Sequence, residues 1–238
     1  MFLRRIVIHS ENPNIKQLFP LVTESISKAL SNSNYKASSL EKYAQDIFSR
    51  VAEIDNAFKN MAITIEYLRQ KSYKDSNYRF SEHHAFHIEN FLLRLTSVVD
   101  RSYLLAGSTM LMENSKIEKT GGNGKVIKEL VIFSPSSESI LKNMEDTIDH
   151  LRVPRNKVAH QAGFSSKNLC VLQAIENAES GSISVKQIKD IMSYDEIKDV
   201  VIEESIEQYE KVLPEIDNLV KELIDSLSFV YTGLLKIT

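Results

Sequence analysis

Residues 195–235 read DEIKDVVIEESIEQYEKVLPEIDNLVKELIDSLSFVYTGLL and decide the fold class. Apolar side chains recur here at alternating steps of four and three residues, at Ile202, Ile206, Tyr209, Leu213, Ile216, Val220, Leu223, Leu227, Val230 and Leu234. This spacing is typical of a helix that buries one seam in a bundle or coiled coil. We predict one long helix, kinked at Pro214 because a proline ring removes a backbone hydrogen bond. The seam is expected in the core, although a stripe of this length could also form a dimer interface.

Helical periodicity recurs along most of the remaining chain. It predicts helices over residues 14–31, 38–73, 79–112, 136–151, 167–179 and 185–192. Seven glycines and five prolines are few for 238 residues, which disfavours an all-β sandwich and suits long helices. The predicted fold class is therefore all-α, a bundle of long antiparallel helices with a small hairpin-like insertion. We expect a single domain over residues 1–238, with an N-terminal arm and helix (1–37) and a bundle core (38–235).

Two stretches depart from the helical pattern. The opening FLRRIVIH, residues 2–9, is apolar and β-branched, which favours a short strand or an extended arm. Residues 115–137, SKIEKTGGNGKVIKELVIFSPSS, contain the pair Asn123-Gly124, which favours a tight turn between paired segments. The glycines lack the spacing of a phosphate-binding Walker loop. The second stretch is therefore the predicted hairpin-like insertion.

Composition sets limits on the class of protein. The single cysteine, Cys170, excludes an internal disulfide, and its apolar neighbours favour a buried thiol. No apolar run is long enough for a signal peptide or a membrane span, so we expect a cytoplasmic protein without membrane contact. The net charge of −3 is uneven: residues 195–225 carry −8, which leaves +5 elsewhere. A weakly basic remainder is compatible with a phosphate-bearing partner and also with an ordinary solvated surface.

The stretch PRNKVAH, residues 154–160, lies in this basic remainder. Pro154 disfavours helix at the residue before it and suits the first position of a new helix. We therefore expect Arg155 and Asn156 in a first helical turn, where unpaired backbone N–H groups attract an anion.

These residue types can cleave RNA without a metal. Asn156 and His160 are four residues apart and share a helix face, and the long side chain of Arg155 can swing towards them. An arginine fork binds phosphate oxygens in two directions, and an imidazole can take or return a proton. The histidine would activate the 2′-hydroxyl while the arginine neutralises charge on the phosphate. The alternative is a capping arginine beside a partly buried histidine.

The run Arg155-Asn156-Lys157-Val158-Ala159-His160 resembles the signature of the HEPN superfamily, an arginine, four to six residues of which the first is usually polar, and a histidine. Asn156 stands at that polar position. HIENFLLRLTSVVDR, residues 87–101, is also similar to a long helix of several bacterial members. The resemblance covers the architecture of residues 38–235, but only the six-residue motif is specific.

The resemblance implies a homodimer in which two motifs form a composite active site. Many such proteins are metal-independent ribonucleases that act as toxins, in phage defence or in CRISPR-associated systems, with RNA as the partner and no cofactor. Arg155 would bind the scissile phosphate, His160 would act as general base or acid, and Asn156 would hold the histidine or the phosphate. Some toxins of the family carry a tyrosine two residues after the histidine, which an antitoxin modifies. Ala162 stands there instead, so an antitoxin or regulatory partner would have to act differently.

Two further clusters are weaker candidates. Glu89, Arg94, Asp100 and Arg101 lie on one predicted helix that could orient Arg155 through a salt-bridge network, or could form ordinary surface pairs. His83 and His87 are four residues apart, a spacing that can bind a metal. No third ligand follows from the sequence, so an exposed polar helix start is the favoured interpretation and no metal site is predicted.

Two functions from different classes therefore stand. The first is a dimeric, metal-independent endoribonuclease in a toxin or antiviral setting. The second is a non-catalytic helical interaction or regulatory module, in which the motif only stabilises a turn. The intact Arg155, Asn156 and His160 favour the first.

Overall fold

A computed structural model describes residues 7–160, 163–179 and 182–236. Regular structure within these ranges is helical, which confirms the all-α class. A 3-10 turn, His9–Glu11, comes first. The α-helices that follow are α1 (Pro13–Lys16), α2 (Phe19–Ser31), α3 (Ser39–Leu68), α4 (Phe80–Thr109), α5 (Asn114–Ile117), α6 (Gly122–Phe133), α7 (Pro135–His160), α8 (Lys167–Asn177), α9 (Ile183–Ile191), α10 (Tyr194–Ser226) and α11 (Ser228–Leu235).

The chain divides into two compact units. The first comprises residues 1–59, 97–148 and 214–238, and the second comprises residues 60–96 and 149–213. Each boundary falls inside one of the long helices α3, α4, α7 and α10 rather than in a loop. The motif PRNKVAH belongs to the second unit.

The first unit packs its helices around small residues and buried tyrosines. A Cβ on Gly107 of α4 would lie 2.9 Å from Ile117 of α5 and 3.0 Å from Val126 of α6, so only glycine allows this approach. The hydroxyl groups of Thr109 and Tyr231 lie 3.0 Å apart in the core.

The N-terminal segment is held in the first unit by carboxylates. The backbone N–H groups of His9 and Ser10 donate to Asp55 of α3. Asn12 and Asn14 donate to Asp225 of α10. The predicted strand FLRRIVIH falls largely on residues outside the described ranges. At its end His9 begins a 3-10 turn.

The hairpin predicted within residues 115–137 is wrong, because this segment forms α5, α6 and the start of α7. Gly121 adopts φ +79° and precedes α6, and a Cβ on Gly122 would lie 1.9 Å from the Ile117 carbonyl oxygen. The glycines therefore serve a tight helix–helix connection. Val126 and Leu130, four residues apart, are both buried, so tertiary packing of a helical stripe overrides the β-propensity of this stretch.

The second unit has its own apolar core. This core joins Phe80 at the start of α4 to buried residues of α8 and α10, namely Leu169, Leu172, Ile175, Ile197 and Val201. Cys170 is exposed, which corrects the predicted burial, because it lies about 100° around α8 from the buried Leu169.

The predicted apolar seam of the last helix is buried in the core. Its central residues are almost completely buried, namely Tyr209, Leu213, Ile216, Val220, Leu223 and Leu227. They fill the cores of the two units and are not free to form a dimer interface. The single helix predicted over residues 195–235 is interrupted at Leu227, between α10 and α11.

Candidate functional site

The motif lies in the last two turns of α7, which continues through Pro154 to His160. The predicted break at Pro154 and the new helix after it are therefore wrong. A proline inside a helix removes one backbone hydrogen bond and crowds the carbonyl four residues earlier, at a cost of about 3 kcal/mol. The rest of a 26-residue helix outweighs that local penalty.

This location changes how an anion could be bound. Arg155 and Asn156 do not begin a helix, so free N–H groups of a first turn do not contribute. The helix ends at His160, and the carbonyl end of a helix carries partial negative charge, which favours the cations Lys157 and His160 in the last turn. Attraction for a phosphate must come from the side chains.

The Arg155 side chain is fixed by two hydrogen bonds. Its Nε donates to Thr96 Oγ1 of α4 at 3.3 Å, and its Nη1 donates to Asn156 Oδ1 at 3.1 Å. Thr96 is buried, and its hydroxyl donates in turn to backbone carbonyls of the preceding turn of α4. A guanidinium has five N–H donors, so those not used within the described residues can reach phosphate oxygens.

Asn156 and His160 lie on the same face of the terminal turns of α7. Both are exposed, and residues four apart on a helix have Cβ atoms about 5–6 Å apart. Asn156 therefore links the anchored arginine to the neighbourhood of the histidine. The structure thus places Arg155 in contact with Asn156, and Asn156 on the helix face of His160, with all three residues in the second unit.

Glu89 supports the segment that follows the motif. Its Oε1 accepts the Phe164 N–H at 2.7 Å. Gly163 adopts φ +89°, and a Cβ there would lie 2.6 Å from the same oxygen. Glu89 thus holds the returning chain rather than Arg155 itself.

The other predicted supporting residues are placed differently. Arg94 is half-buried on α4 in the second unit. Asp100 belongs to the first unit, where it lines a cavity of about 400 Å³ beside the glycine connection of residues 121–122. Arg101, also in the first unit, pairs with Glu53 at 3.4 Å. The orienting contact of Arg155 in this structure is the hydroxyl of Thr96, which sequence reasoning missed.

The basic character of the chain noted above is concentrated around the motif. No acidic residue occurs between Asp149 and Glu176. The interval contains four permanent cations, namely Arg152, Arg155, Lys157 and Lys167. Lys157 and Lys167 are exposed. The sequence interval around the motif is therefore basic although the whole chain is acidic.

His83 and His87 do not form an exposed polar helix start. Both are half-buried and stack on tyrosines: His83 on Tyr73 with ring centroids 4.0 Å apart, and His87 on Tyr67 at 4.9 Å. Burial, and then the neighbouring His83, lowers the pKa of His87. Among the described residues, no group of three or more histidine, cysteine or carboxylate side chains could hold a metal ion.

Comparison with known protein families places the chain in the HEPN superfamily. A family described as Cthe2314-like HEPN matches residues 22–232. No curated protein and no solved structure matches the chain significantly. Within the described ranges, none of the helices combines the length and apolar character needed to cross a bilayer. Because the family match spans most of the chain, the protein belongs to the Cthe2314-like HEPN family.

Proposed function

We propose that this protein is a metal-independent endoribonuclease whose active site contains Arg155, Asn156 and His160. The observation that carries the proposal is the anchored guanidinium. Arg155 is held by the buried Thr96 and by Asn156, one turn before the exposed His160. Membership of a HEPN family and the acid-free interval around the motif support the same conclusion.

The proposed reaction is transfer of the phosphate ester to the neighbouring 2′-oxygen. One imidazole takes the proton of the 2′-hydroxyl, the 2′-oxygen forms a bond to phosphorus, and the bond to the 5′-oxygen breaks. The leaving oxygen receives a proton, so the products end in a 2′,3′-cyclic phosphate and a 5′-hydroxyl. Arg155 neutralises the charge that grows on the phosphate oxygens.

The reaction also explains why we propose a homodimer. A single His160 cannot remove one proton and deliver another in the same step. A second copy of the chain would supply a second histidine and a second arginine, which completes the acid–base pair in a composite site. An exposed motif at a helix end is accessible to such a partner.

The proposed biological setting rests on membership of the HEPN family. An endoribonuclease of this kind would act on cytoplasmic RNA, as a toxin or in phage defence. Its activity would then need control by an antitoxin or another regulatory partner. Because Ala162 stands two residues after His160, control through modification of a tyrosine at that position is ruled out.

The test is cleavage of a labelled single-stranded RNA by the purified full chain in EDTA. We expect His160→Ala to lower kcat by about 10²–10⁴-fold, as removal of a general acid–base does. Arg155→Lys should also lower kcat, since a lysine keeps the charge but lacks the planar guanidinium that donates two parallel hydrogen bonds to a phosphate. His150→Ala provides the matched control, because His150 is another exposed histidine of α7.

Substrate chemistry separates this activity from a contaminating nuclease. A substrate with deoxyribose 5′ to the scissile phosphate lacks the 2′-nucleophile and should resist cleavage. Cleavage that survives His160→Ala, or that accepts the deoxy substrate, would contradict the proposal.

The second candidate function is a non-catalytic interaction module. It is favoured by the position of the motif at the carbonyl end of α7, where helix N–H groups do not help to bind phosphate. Absence of cleavage by a folded, dimeric wild-type chain would support this alternative.

A further inference from the structure

A cavity of about 440 Å³ lies in the second unit between the end of α3, the loop of residues 69–79 and the first turns of α4. Its volume falls in the range of small-molecule sites. Seven side chains line it, and six of them carry aromatic rings: Tyr67, Tyr73, Tyr78, His83, Phe86 and His87, with Glu82 as the seventh. We refer to this cavity as the aromatic pocket.

Part of the aromatic pocket is a stacked array of rings. Tyr73 and His83 stack at 4.0 Å and 15°, and Tyr67 and His87 at 4.9 Å and 12°. The two imidazoles lie 6.3 Å apart with planes tilted by only 20°. Nearly parallel rings of this kind present π-faces on which another flat ring can stack.

The rim consists of two exposed aromatic side chains. Phe86 is 64% exposed and meets His87 edge-on at 74°, and Tyr78 is 69% exposed and meets His83 at 80°. Large aromatic side chains left in solvent on both sides of an apolar cavity mark a binding surface.

The loop that carries Tyr73 and Tyr78 is held in place. Ser76 Oγ accepts the Tyr78 N–H at 3.1 Å and lies 2.7 Å from His83 Nε2, to which its hydroxyl can donate. Burial raises the pKa of Tyr73 to about 12, so its phenol stays protonated and donates to the Tyr67 carbonyl at 2.9 Å. The pocket is therefore preorganised, which lowers the entropic cost of binding.

Helix α4 carries residues of the aromatic pocket and also residues that contact the motif segment. Phe86, Glu89, Leu93 and Thr96 follow one another at steps of three, four and three residues and so share one stripe of the helix. Glu89 holds the chain after the motif, and Thr96 holds Arg155. At a rise of 1.5 Å per residue, Phe86 lies about 15 Å along the helix axis from Thr96.

We propose that the aromatic pocket binds an unpaired nucleobase of the RNA strand whose phosphate Arg155 holds, an inference that rests on the proposed ribonuclease function. Stacking of a base on aromatic side chains is the standard way in which proteins hold single-stranded nucleic acid. The imidazole ring nitrogens and the Tyr78 hydroxyl supply polar groups for the base edge. The pocket thus selects unpaired RNA and sets the distance from the bound base to the cleaved bond.

The ring geometry favours a base over a quaternary ammonium group. A cation cage surrounds a compact charge with ring faces, whereas the inner rings here are almost parallel and suit a flat ligand. The one carboxylate of the pocket, Glu82, already accepts the Arg79 N–H at 2.7 Å. Protonation of either histidine would repel a cationic ligand.

The test measures binding apart from cleavage, in the His160→Ala chain. Fluorescein-labelled hexa-adenylate and hexa-uridylate are titrated with this protein in EDTA and followed by fluorescence anisotropy. The double change Tyr78→Leu and Phe86→Leu should raise Kd by about fivefold or more, because a stacked base contributes at least that factor. Both side chains are exposed, so the fold tolerates the change. Phe133→Leu is the matched control, since Phe133 is 57% exposed on α6 of the other unit.

The outcomes separate this inference from the proposed function. The pocket would be overturned as a base site if the double variant changed Kd by less than twofold, as Phe133→Leu should. This conclusion would hold even if the wild type cleaves RNA. A selective loss of affinity would support it even if the wild type does not cleave RNA and the ribonuclease site fails. Displacement of the labelled RNA by tetramethylammonium ahead of adenosine monophosphate would identify a cation cage and also overturn the proposal.

Discussion

Thr96 is the residue on which the position of Arg155 depends. It lies 59 residues away in sequence, and its hydroxyl accepts the Arg155 Nε–H bond at 3.3 Å. The sequence pattern predicts Arg155, Asn156 and His160 as site residues because their spacing is local. It did not identify Thr96, since a contact between α4 and α7 depends on tertiary packing and has no local signal.

Thr96→Val should impair catalysis with little effect on RNA binding elsewhere. The change removes the acceptor but keeps the branched shape, and a hydrogen bond to a charged group contributes about 1.5–3 kcal/mol. We expect kcat to fall by about ten- to a hundredfold, with a smaller change in KM, measured from initial rates. Thr96→Ser keeps the hydroxyl and should retain most of the wild-type kcat.

Thr64→Val is the matched control for this prediction. Thr64 is also a buried helical threonine of the second unit, and its hydroxyl donates to Asn60 O at 2.8 Å and accepts from Asn90 at 2.7 Å. If both valine variants lost kcat equally, Thr96 would act through general stability and not through Arg155.

His84 should make the fold sensitive to mild acid. It is fully buried, its Nε2 lies 3.1 Å from Ser205 Oγ, and burial lowers its pKa from 6.5 to about 4. Below pH 6.5 the unfolded chain gains a proton that the folded chain accepts only near pH 4. The free energy of unfolding therefore falls as the pH drops through this window, by up to about 3 kcal/mol.

Urea unfolding at a series of pH values measures this loss. His84→Gln keeps a polar partner for Ser205 but does not titrate, so its unfolding free energy should fall less between pH 6.5 and 4. His150→Gln changes an exposed histidine and should keep the wild-type dependence. A full acid loss in His84→Gln would show that other groups cause it.

At the scale of elements, α7 shows where sequence patterns lose their power. The long helices follow from apolar periodicity because each buries one stripe. The errors occur at Pro154 and at residues 115–137, where local preference favours a break or a strand. In both places, packing along the full length of a helix outweighs the local cost. The conformational preference of a single residue does not include this packing energy.

Pro154→Ala should stabilise the protein while impairing the site. Alanine restores the missing helical hydrogen bond, which stabilises the folded chain. Alanine also gives the unfolded chain more conformational freedom, which offsets part of this gain. We expect a net rise in the free energy of unfolding of about 1–2 kcal/mol. Arg155 follows directly, so regular helix geometry at residue 154 shifts its guanidinium relative to Thr96. We expect kcat to fall severalfold, measured beside urea unfolding.

Pro214→Ala offers the same change inside α10, distant in sequence from the motif. It should raise stability without lowering kcat. Unchanged kcat in Pro154→Ala would mean that the proline has no part in aiming Arg155.

At the scale of the whole molecule, the two compact units share the long helices that cross their boundaries. We propose that residues 1–238 form one domain. A single domain predicts a single cooperative unfolding transition. The motif, by contrast, belongs to the second unit. Under the proposed function, a second chain would supply the second histidine of the acid–base pair, so activity would depend on association as well as on the fold.

Subunit mixing tests the composite site directly. Wild-type chains are exchanged with a ninefold excess of His160→Ala chains and assayed at saturating RNA. If each site needs His160 from both chains, nearly all wild-type chains pair with an inactive one, and activity per wild-type chain should fall by about tenfold. An equal excess of an inert protein that cannot exchange controls for dilution. If activity per wild-type chain stayed constant, each chain would carry a complete site, and one imidazole would have to serve with water as the second proton carrier.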